Sequence, residues 1–379
     1  MNVQALKLQD GDVPFSRDPH NSFTLPARFY HDPAVYEREK ESIFYRAWWC
    51  VGHRSQIAKP GQYVTAQIFD QNVFAATDRS GELRAFYNVC QHRGHELLKG
   101  RGKAGLIVCP YHAWSYDLDG SLKRAPNAEK VADFKACDFS LKPVRVEEYA
   151  GFVFVNIDPD AEPLREQAGD LEAEIRHYCP RLDEVAFAQR DHFDLAANWK
   201  VPIDNFLECY HCQVAHRDLV DLMDMDSYWV KTHRLYSTHI ADAARSTENS
   251  AYKFKMGEVD FGYAAWYLWP NLTIWVYPGE PNISTLQMIP TGPDRCIEYQ
   301  DWFTLGGKKT KQLKDAIKYQ RDVLQPEDIA LCESVQRGLK SKGYNQGRLI
   351  VDPECSEISE HGVHHFQQLV VDAVGAELG

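Results

Sequence analysis

Two pairs of cysteine and histidine constrain this chain more than any other feature. Cys90 and His92 stand in the run CQHRGH, and Cys109 and His112 stand in CPYHAW, with sixteen residues between the C-x-H and C-x2-H pairs. Thiolate and imidazole are ligands that suit zinc or iron. Zinc fingers prefer C-x2-C paired with H-x3-H, whereas each loop here supplies one sulfur and one nitrogen. This mixture favours a two-iron cluster with both cysteines on one iron and both histidines on the other, and a structural zinc site is the alternative.

A second group of candidate ligands lies about 100 residues further on, in NWKVPIDNFLECYHCQVAH. His211 and His216 are five residues apart, and Glu208 precedes the first by three. On an ideal helix five residues turn about 500°, which leaves the two rings about 140° apart. The histidines can therefore share one metal only if the helix ends or bulges between them. Such a site, completed by a carboxylate, would be an iron centre with open positions for oxygen and substrate.

Two other interpretations of this second segment stay open. Cys209 and Cys212 form a C-x2-C pair, as in a zinc ribbon, although the sequence contains no second C-x2-C to complete one. Histidines in the middle of a domain are also often satisfied by neighbours in the core.

Composition places the chain among globular proteins. Its 379 residues suggest about two domains. The net charge of −12 argues against a nucleic-acid or anionic membrane surface as partner. No run approaches the roughly 18 apolar residues of a spanning helix, and the first residues lack the basic-then-apolar order of a secretory signal. We therefore predict a cytoplasmic protein whose ten cysteines are reduced thiols or metal ligands.

The periodicity of apolar residues and the turn signals along the sequence predict an α+β fold. Residues 33–49 have the 3.6-residue period of a helix. Residues 51–158 consist of short β-branched and aromatic runs split by turn signals such as Ser80-Gly81 and Asp119-Gly120, which indicates an all-β domain. Further strand-like runs then precede two helical stretches, over 308–341 and 361–375. Strands and helices do not alternate, and no G-x-G-x-x-G or G-x4-G-K-[ST] run occurs, so a built-in nucleotide site is not expected.

The two constellations together resemble the Rieske non-haem iron oxygenases. The first matches the Rieske pattern C-x-H…C-P-x-H-x-W, with Pro110 and Trp114 in place, and the second matches N-x2-E-x-Y-H-x4-H. The resemblance implies a Rieske 2Fe–2S cluster on Cys90, His92, Cys109 and His112. It uses one histidine in the first loop, so His95 is expected to be a hydrogen-bonding or packing residue.

The same resemblance implies a mononuclear Fe(II) on His211 and His216. The third ligand of the family is an aspartate far downstream, and the family-like run QPEDIALCESVQRGLKS points to Asp328, with neighbouring Glu327 as the competitor.

Asn205 and Glu208 are the residues to which the resemblance gives a catalytic role. A carboxylate at the position of Glu208 bridges a cluster histidine of one subunit and an iron histidine of its neighbour. Most relatives have aspartate there, and glutamate resembles the subset that oxidises carnitine. A local salt bridge or cap is the structural alternative.

Segments such as HRGHELL, DNFLECYHC and ESVQRGLKSKGY look like the carnitine monooxygenase and glycine betaine demethylase branch, and IPTGPDRC is similar to choline monooxygenase. That branch hydroxylates beside a quaternary nitrogen, after which a C–N bond breaks. Aromatic residues can cage such a cation. We name Trp266, Trp269, Trp275 and Tyr277 as candidates, with ordinary core packing as the alternative for each.

The resemblance also implies an organisation and partners. It predicts an N-terminal segment and helix (1–46) packing on the catalytic domain, an all-β Rieske domain (47–158) and a helix-grip-like catalytic domain (159–379), whose antiparallel sheet carries a long C-terminal helix. O2 and a small molecule are the substrates. NADH serves only indirectly, through a separate flavin/ferredoxin-type reductase, because the chain has no flavin or nicotinamide fingerprint. A head-to-tail homotrimer is expected.

Three other functions remain to be compared with this one. An aromatic ring-hydroxylating dioxygenase would use the same two metal sites. A Rieske electron-transfer protein would need only the first of them, and a non-catalytic binding protein would use neither for chemistry.

Overall fold

The computed structural model describes residues 7–244, 250–254 and 262–375. Contacts divide the chain into two units, one formed by Phe44–Glu166 and the other by the described parts of Met1–Ile43 and Gln167–Gly379. The first six residues of the predicted N-terminal segment lie outside the described residues. The domain limits at 46 and 158 stay a prediction, since contact-based units need not coincide with sequence domains. Within the described ranges, no helix is both long and apolar enough to cross a membrane.

The Phe44–Glu166 unit is built from short antiparallel strands. They form sheets with the orders β1-β10-β9, β4-β3-β2-β5 and β6-β7-β8. Their bounds are β1 (Trp49–His53), β2 (Gln62–Ile68), β3 (Gln71–Thr77), β4 (Leu83–Tyr87), β5 (Arg101–Lys103), β6 (Ile107–Val108), β7 (Ser115–Tyr116), β8 (Leu122–Arg124), β9 (Arg145–Tyr149) and β10 (Phe152–Asn156).

Turns at the expected places join these strands. Gly81 lies between β3 and β4, and Gly120 lies between β7 and β8, with φ angles of 94° and 85°. A side chain at Gly120 would also collide with the ring of Phe86, so both backbone and space require glycine there. The two loops that carry the cysteine–histidine pairs follow β4 and join β6 to β7.

The other unit is a sheet of long antiparallel strands covered by helices. The strand order is β11-β17-β16-β15-β14-β13-β12. The strands are β11 (Val185–Leu195), β12 (Met223–Thr232), β13 (Tyr236–Ala243), β14 (Tyr263–Leu268), β15 (Leu272–Val276), β16 (Asn282–Gly292) and β17 (Arg295–Leu305). The helices of the chain are α1 (Pro33–Glu39), α2 (Leu164–Ala168), α3 (Leu171–Tyr178), α4 (Lys200–Phe206), α5 (Cys212–Ala215), α6 (Arg217–Val220), α7 (Lys311–Tyr319), α8 (Gln325–Leu339) and α9 (His361–Val374).

This architecture confirms the predicted fold class, an all-β domain followed by an antiparallel sheet with C-terminal helices. Two helical predictions need correction in detail. The helix expected over 33–49 ends in a π-helical turn over Lys40–Phe44, because Trp49 already begins strand β1. The stretch 308–341 is α7 and α8 joined by a second π-helical turn, Gln320–Leu324.

A buried ion pair joins the N-terminal segment to helix α4. Lys200 Nζ lies 2.6 Å from Glu39 Oε1, and neither side chain is exposed to solvent. The indole of Trp199 donates to the other oxygen of Glu39 at 2.8 Å. Because each charge has a partner, the first turn of α4 is fixed where the segment with the candidate iron ligands begins.

Candidate functional site

The Phe44–Glu166 unit, called the β unit from here on, contains two cysteine loops with the same backbone fold. In each, the cysteine N–H donates to the carbonyl oxygen five residues later at 2.8 Å, and the N–H four residues later donates back to the cysteine carbonyl at 3.0 Å. That fourth residue, Gly94 after Cys90 and Ala113 after Cys109, has a left-handed backbone with φ of 72° and 58°. The loops thus present two similar turns, although the histidine is second after one cysteine and third after the other.

Burial differs sharply between the sulfurs and the imidazoles of these loops. Cys90 and Cys109 are each 2% exposed, whereas His92 and His112 are exposed. The two imidazole rings lie 4.8 Å apart, and Trp114 stacks on His92 at the same centroid distance. A group held here would have its sulfur side in the core and its nitrogen side at the surface.

The hydroxyl of Tyr116 supports the cysteine side. It accepts from the N–H of Gln91 at 3.0 Å and lies 3.2 Å from Cys90 Sγ, so it can donate to a thiolate. Burial raises the pKa of the Cys90 thiol, and the bond from Tyr116 opposes that rise. His95 turns away to the carbonyl oxygen of Glu96, in agreement with the expectation that it packs and bonds locally.

The chemistry of these four side chains fits a Rieske cluster. Two buried thiols and two exposed imidazoles are its donor set, with the sulfurs on one iron and the nitrogens on the other.

The second site depends on a break between two helices. His211 precedes α5, which ends at Ala215, and His216 has φ −122° and ψ 62° before α6 begins. The Nε2 atoms of the two histidines consequently approach to 3.1 Å. Asp328 Oδ1, from the first turn of α8, lies 2.9 Å from His216 Nε2 and 3.7 Å from His211 Nε2. The structure thus meets the condition under which the two rings can share a metal.

Carboxylates hold the outer nitrogens of both rings. Glu208 Oε1 lies 2.5 Å from His211 Nδ1, and its Oε2 accepts the backbone N–H of His211. Glu327 Oε2 lies 2.9 Å from His216 Nδ1. A carboxylate on Nδ1 fixes the tautomer that leaves the Nε2 lone pair for a metal. Glu327 therefore faces the far side of His216, whereas Asp328 faces the shared centre.

The charges at this centre fit a cation. Burial works against a charged His211, but hydrogen bonds with Asp328 and Glu208 outweigh it and raise the pKa of that ring to about 10. The pKa of His216 is raised in the same way, and that of Asp328 is lowered by the two rings despite its burial. These pKa shifts show that the centre favours positive charge. A bound metal ion would supply that charge in place of the protons on the rings. Asn205 Nδ2 lies 3.4 Å from His211 Nε2, beside this centre.

A cavity opens beside the three ligands on the helix-covered face of the sheet. Trp275 and Tyr277 line it, as do Phe206, Tyr228 and Tyr263, which the sequence analysis did not name. The rings of Phe206 and Trp275 lie 5.3 Å apart at a steep angle, and Trp275 and Tyr277 lie 6.2 Å apart. Three or more aromatic faces around one space can accommodate a small cation.

The structure does not bring the other two aromatic candidates, Trp266 and Trp269, into the described lining of this cavity. Trp266 lies on the opposite face of the sheet, because side chains alternate along β14 and Tyr263 takes the cavity face. Its indole instead donates to Glu174 of α3 at 2.9 Å. Trp269 follows β14 and lies 6.2 Å from the ring of Phe366, outside the described cavity lining. The alternation within YAAWYL places Trp266 and Tyr263 on opposite faces of the strand, but it does not show which face meets the cavity.

The expectation of reduced thiols fails at one pair. Cys209 and Cys212 form a disulfide with His211 between them, and the other eight cysteines form no disulfide in the part of the chain that the structure describes. Both half-cystines are buried at the cavity wall. The C-x2-C pair is therefore not arranged as half of a zinc ribbon.

Comparison with known proteins gives matches over most of the chain. The model of the Rieske [2Fe-2S] domain matches residues 47–135, and that of the ring hydroxylating alpha subunit catalytic domain matches residues 182–376. The chain is 41% identical over 358 residues to the carnitine monooxygenase oxygenase subunit of Escherichia coli strain K12, covering 94% of this chain and 95% of that protein. It is 32% identical over 370 residues to the chloroplastic choline monooxygenase of Beta vulgaris, covering 94% and 77%.

A solved structure of a quaternary ammonium Rieske monooxygenase, studied for carnitine oxidation and inter-subunit electron transfer, superposes with a TM-score of 0.89. It is 37% identical and covers 98% of this chain and 100% of its own.

Proposed function

The chain belongs to the Rieske non-haem iron oxygenases, as an oxygenase alpha subunit, and from that premise we propose that it hydroxylates a small quaternary ammonium compound beside its charged nitrogen. The enzyme is an oxidoreductase whose cofactors are a Rieske 2Fe–2S cluster and a mononuclear iron. The observation that carries the substrate proposal is the aromatic cavity beside the three iron-ligand candidates, whose described lining contains neither lysine nor arginine.

Each side chain has a role in this proposal. Cys90, Cys109, His92 and His112 would hold the cluster, while His211, His216 and Asp328 would hold the iron. When bound, the cluster supplies electrons singly and the iron activates dioxygen. Asn205 borders the iron centre, and Glu208 and Glu327 orient the two histidine rings.

The reaction balances with electrons from outside the chain. One oxygen atom of O2 enters a C–H bond next to the nitrogen, and the other leaves as water with two electrons and two protons. The product is a hydroxylated carbon bearing a positively charged nitrogen, which releases an amine as the C–N bond breaks and the carbon becomes a carbonyl. A flavin/ferredoxin-type reductase would bring the electrons from NADH.

The assembly we propose is a homotrimer in which the cluster of one subunit serves the iron of the next. Two features support it. The first is that His92 and His112 are exposed and have no carboxylate partner among the described residues. The second is that the carboxylate of Glu208 contacts His211 Nδ1 and can accept hydrogen bonds from more than one imidazole. We also propose a cytoplasmic location, because eight of the ten cysteines form no disulfide among the described residues.

A panel experiment tests the substrate. The purified oxygenase with a competent reductase would be given carnitine, γ-butyrobetaine, glycine betaine, choline and a set of aromatic acids. We expect substrate-dependent oxygen uptake with matching release of an amine, or of formaldehyde, from at least one quaternary amine. Ring hydroxylation of the aromatic acids without amine release would overturn the proposal in favour of a ring-hydroxylating dioxygenase.

A further inference from the structure

One acidic side chain in the cavity has no role in the metal sites. Glu298 lies on β17, is 1% exposed, and lines the same cavity as Trp275 and Tyr277. It faces the cavity because its partner across the sheet is Met288, two residues along β16 from Leu286, which also lines it. Residues two apart on a strand share a face.

The carboxyl of Glu298 has a single hydrogen-bond partner among the described residues. The side-chain amide of Gln325, at the start of α8, donates to its Oε2. No lysine, arginine or histidine of the described chain forms an ion pair with it. An amide can hold one oxygen in place while leaving the other to face the cavity.

A buried carboxyl without a cation is costly to ionise. Burial raises the pKa of Glu298 to about 8. Hydrophobic replacement of such a group would be cheaper for the fold alone. The iron on His211, His216 and Asp328 would already have a carboxylate ligand, and the described lining contains no lysine or arginine, so the presence of Glu298 points to a further positive charge that arrives with a ligand.

We propose that Glu298 is the counter-charge for the quaternary ammonium group and makes the cavity select cationic substrates over neutral molecules of the same shape. This inference depends on the proposed function and names the residue behind its specificity. The aromatic rings surround a trimethyl group and gain contact area whether its central atom is nitrogen or carbon. The carboxylate distinguishes the two, because the charge–charge attraction exists only for nitrogen.

Gln325 has a positioning role in this arrangement. Its amide joins the carboxylate on β17 to helix α8, the helix that also supplies Asp328. The counter-charge and the iron-ligand candidate thus sit on connected elements, as required if the methyl groups of the bound cation are to stand beside the iron.

The test compares cations with their carbon isosteres. Choline is paired with 3,3-dimethylbutan-1-ol, and γ-butyrobetaine with 5,5-dimethylhexanoate, so that each pair differs only in the charged nitrogen. Dissociation constants are measured by calorimetry on the metal-loaded enzyme. For at least one pair we expect the wild type to prefer the cation by about tenfold or more, and Glu298→Gln to reduce that preference at least about tenfold while changing isostere binding far less.

Two further variants control this result. Glu298→Asp keeps the charge and should retain most of the preference. Glu174→Gln makes the same chemical change on the other face of the sheet, where Glu174 accepts from Trp266 and Thr238, and should leave the preference unchanged. Cluster absorbance and iron content verify that each variant is folded. If Glu298→Gln is too unstable to measure, Glu298→Met removes the charge with a hydrophobic side chain of similar volume, and a cation preference that stays at its wild-type value in that variant overturns the inference.

The outcomes separate this inference from the proposed function. If the wild type turns over a quaternary amine and Glu298→Gln keeps the full cation preference, the counter-charge is wrong and the proposed function stands. An equal loss of cation and isostere in Glu298→Gln would show a merely structural role and also overturn the inference. If the wild type prefers no cation and hydroxylates aromatic acids, both fall together.

Discussion

The two metal-binding regions place their histidines in opposite surroundings. His92 and His112 project from the β unit, exposed and without a carboxylate partner among the described residues. His211 and His216 lie in the other unit, less exposed, and each has a glutamate on its outer nitrogen. An electron-transfer centre needs an accessible edge, whereas a centre that binds oxygen and substrate needs fixed ligands and a cavity. The difference therefore follows the division of work between the sites.

The contrast extends to how each unit is stabilised. The unit with the iron-ligand candidates, formed by the described parts of Met1–Ile43 and Gln167–Gly379, is called the iron-site unit here. It contains the wholly buried Lys200–Glu39 pair at the start of α4. The ion pairs described in the β unit each have at least one substantially exposed partner, as in Arg84 with Asp78, whose arginine side chain is 49% exposed. Short strands and the packed core around the two cysteines hold the β unit, so it has less need of buried charge.

Removing one metal ligand at a time should have the largest effect and should affect the two metal sites independently. Asp328→Ala or His211→Ala should abolish mononuclear iron binding and activity while leaving the visible spectrum of the cluster intact, because the ligand sets lie in separate units. Cys109→Ala should abolish the visible spectrum of the cluster, and with it activity, while leaving the mononuclear iron bound. Metal analysis alongside absorbance checks both. If Glu327→Ala loses the iron and Asp328→Ala keeps it, the third ligand has been misassigned.

Breaking the buried ion pair tests whether the iron-site unit alone depends on internal charge. Lys200→Met leaves Glu39 buried without a cation, and removal of one partner of such a pair costs about 3–5 kcal/mol. The matched change in the β unit, Arg84→Met, should cost at most about 1 kcal/mol because the pair is solvated. Urea unfolding followed by cluster absorbance reports on the β unit, and tryptophan fluorescence is dominated by the iron-site unit, which contains six of the nine tryptophans. Equal losses for the two variants would contradict this contrast.

The carboxylate on His211 is where the two regions are proposed to communicate. Glu208→Gln should preserve both metal sites but slow electron transfer between them by about 100-fold or more. Glutamine keeps the shape but its amide nitrogen cannot accept a hydrogen bond, so one imidazole loses its partner. Stopped-flow oxidation of the reduced cluster, with substrate and oxygen present, gives the rate. Glu327→Gln is the matched control, since it changes the outer partner of His216, and a wild-type rate in Glu208→Gln would refute the bridge.

The sequence predicted ligand types better than it predicted cavity walls. Spacing alone pointed to Cys90, His92, Cys109 and His112, since ligand chemistry limits which residues can hold iron within a short loop. Asp328 needed the family resemblance, because 112 residues separate it from His216 and nothing local marks it. Trp266 was misplaced and Tyr263 was missed because a strand with aromatics on both faces does not reveal which face meets a cavity.

Glu298 illustrates the remaining limit. An isolated glutamate in CIEYQDWF has no sequence feature that distinguishes it from the many solvated acids of a chain with net charge −12. Its character comes from burial on β17 and from Gln325, 27 residues away. The disulfide between Cys209 and Cys212 was missed for a different reason, since the expected redox state of the compartment was applied to every cysteine alike.

Lowering the pH should destabilise both units for the same reason, with a smaller effect than the changes above. Each contains a neutral, buried histidine, His239 in the sheet of the iron-site unit and His53 in the β unit, exposed by 1% and 4%. Burial lowers the pKa of His239 to about 3 and that of His53 to about 4, from an ordinary value of 6.5. His239 is held neutral between the hydroxyls of Tyr228 and Ser237, at 2.9 and 3.0 Å.

Because both folded-state pKa values are depressed, stability is unaffected above pH 6.5 and falls as the unfolded chain takes up protons below it. pH 5 lies about 1.5 units below the unfolded-state pKa, and each unit lowers the free energy of unfolding by about 1.36 kcal/mol. The loss at pH 5 is therefore about 2 kcal/mol per histidine. His239→Gln should therefore lower stability at pH 8 but flatten its decline between pH 7 and 5 by about 2 kcal/mol in the fluorescence transition of the iron-site unit. His53→Gln should flatten the cluster-absorbance transition instead. The metal ligands titrate alike in both variants and wild type, so a difference in slope isolates the buried ring. Unchanged slopes would mean that these histidines take up protons in the folded protein as readily as in the unfolded chain, and the neutral network around His239 would have to be abandoned.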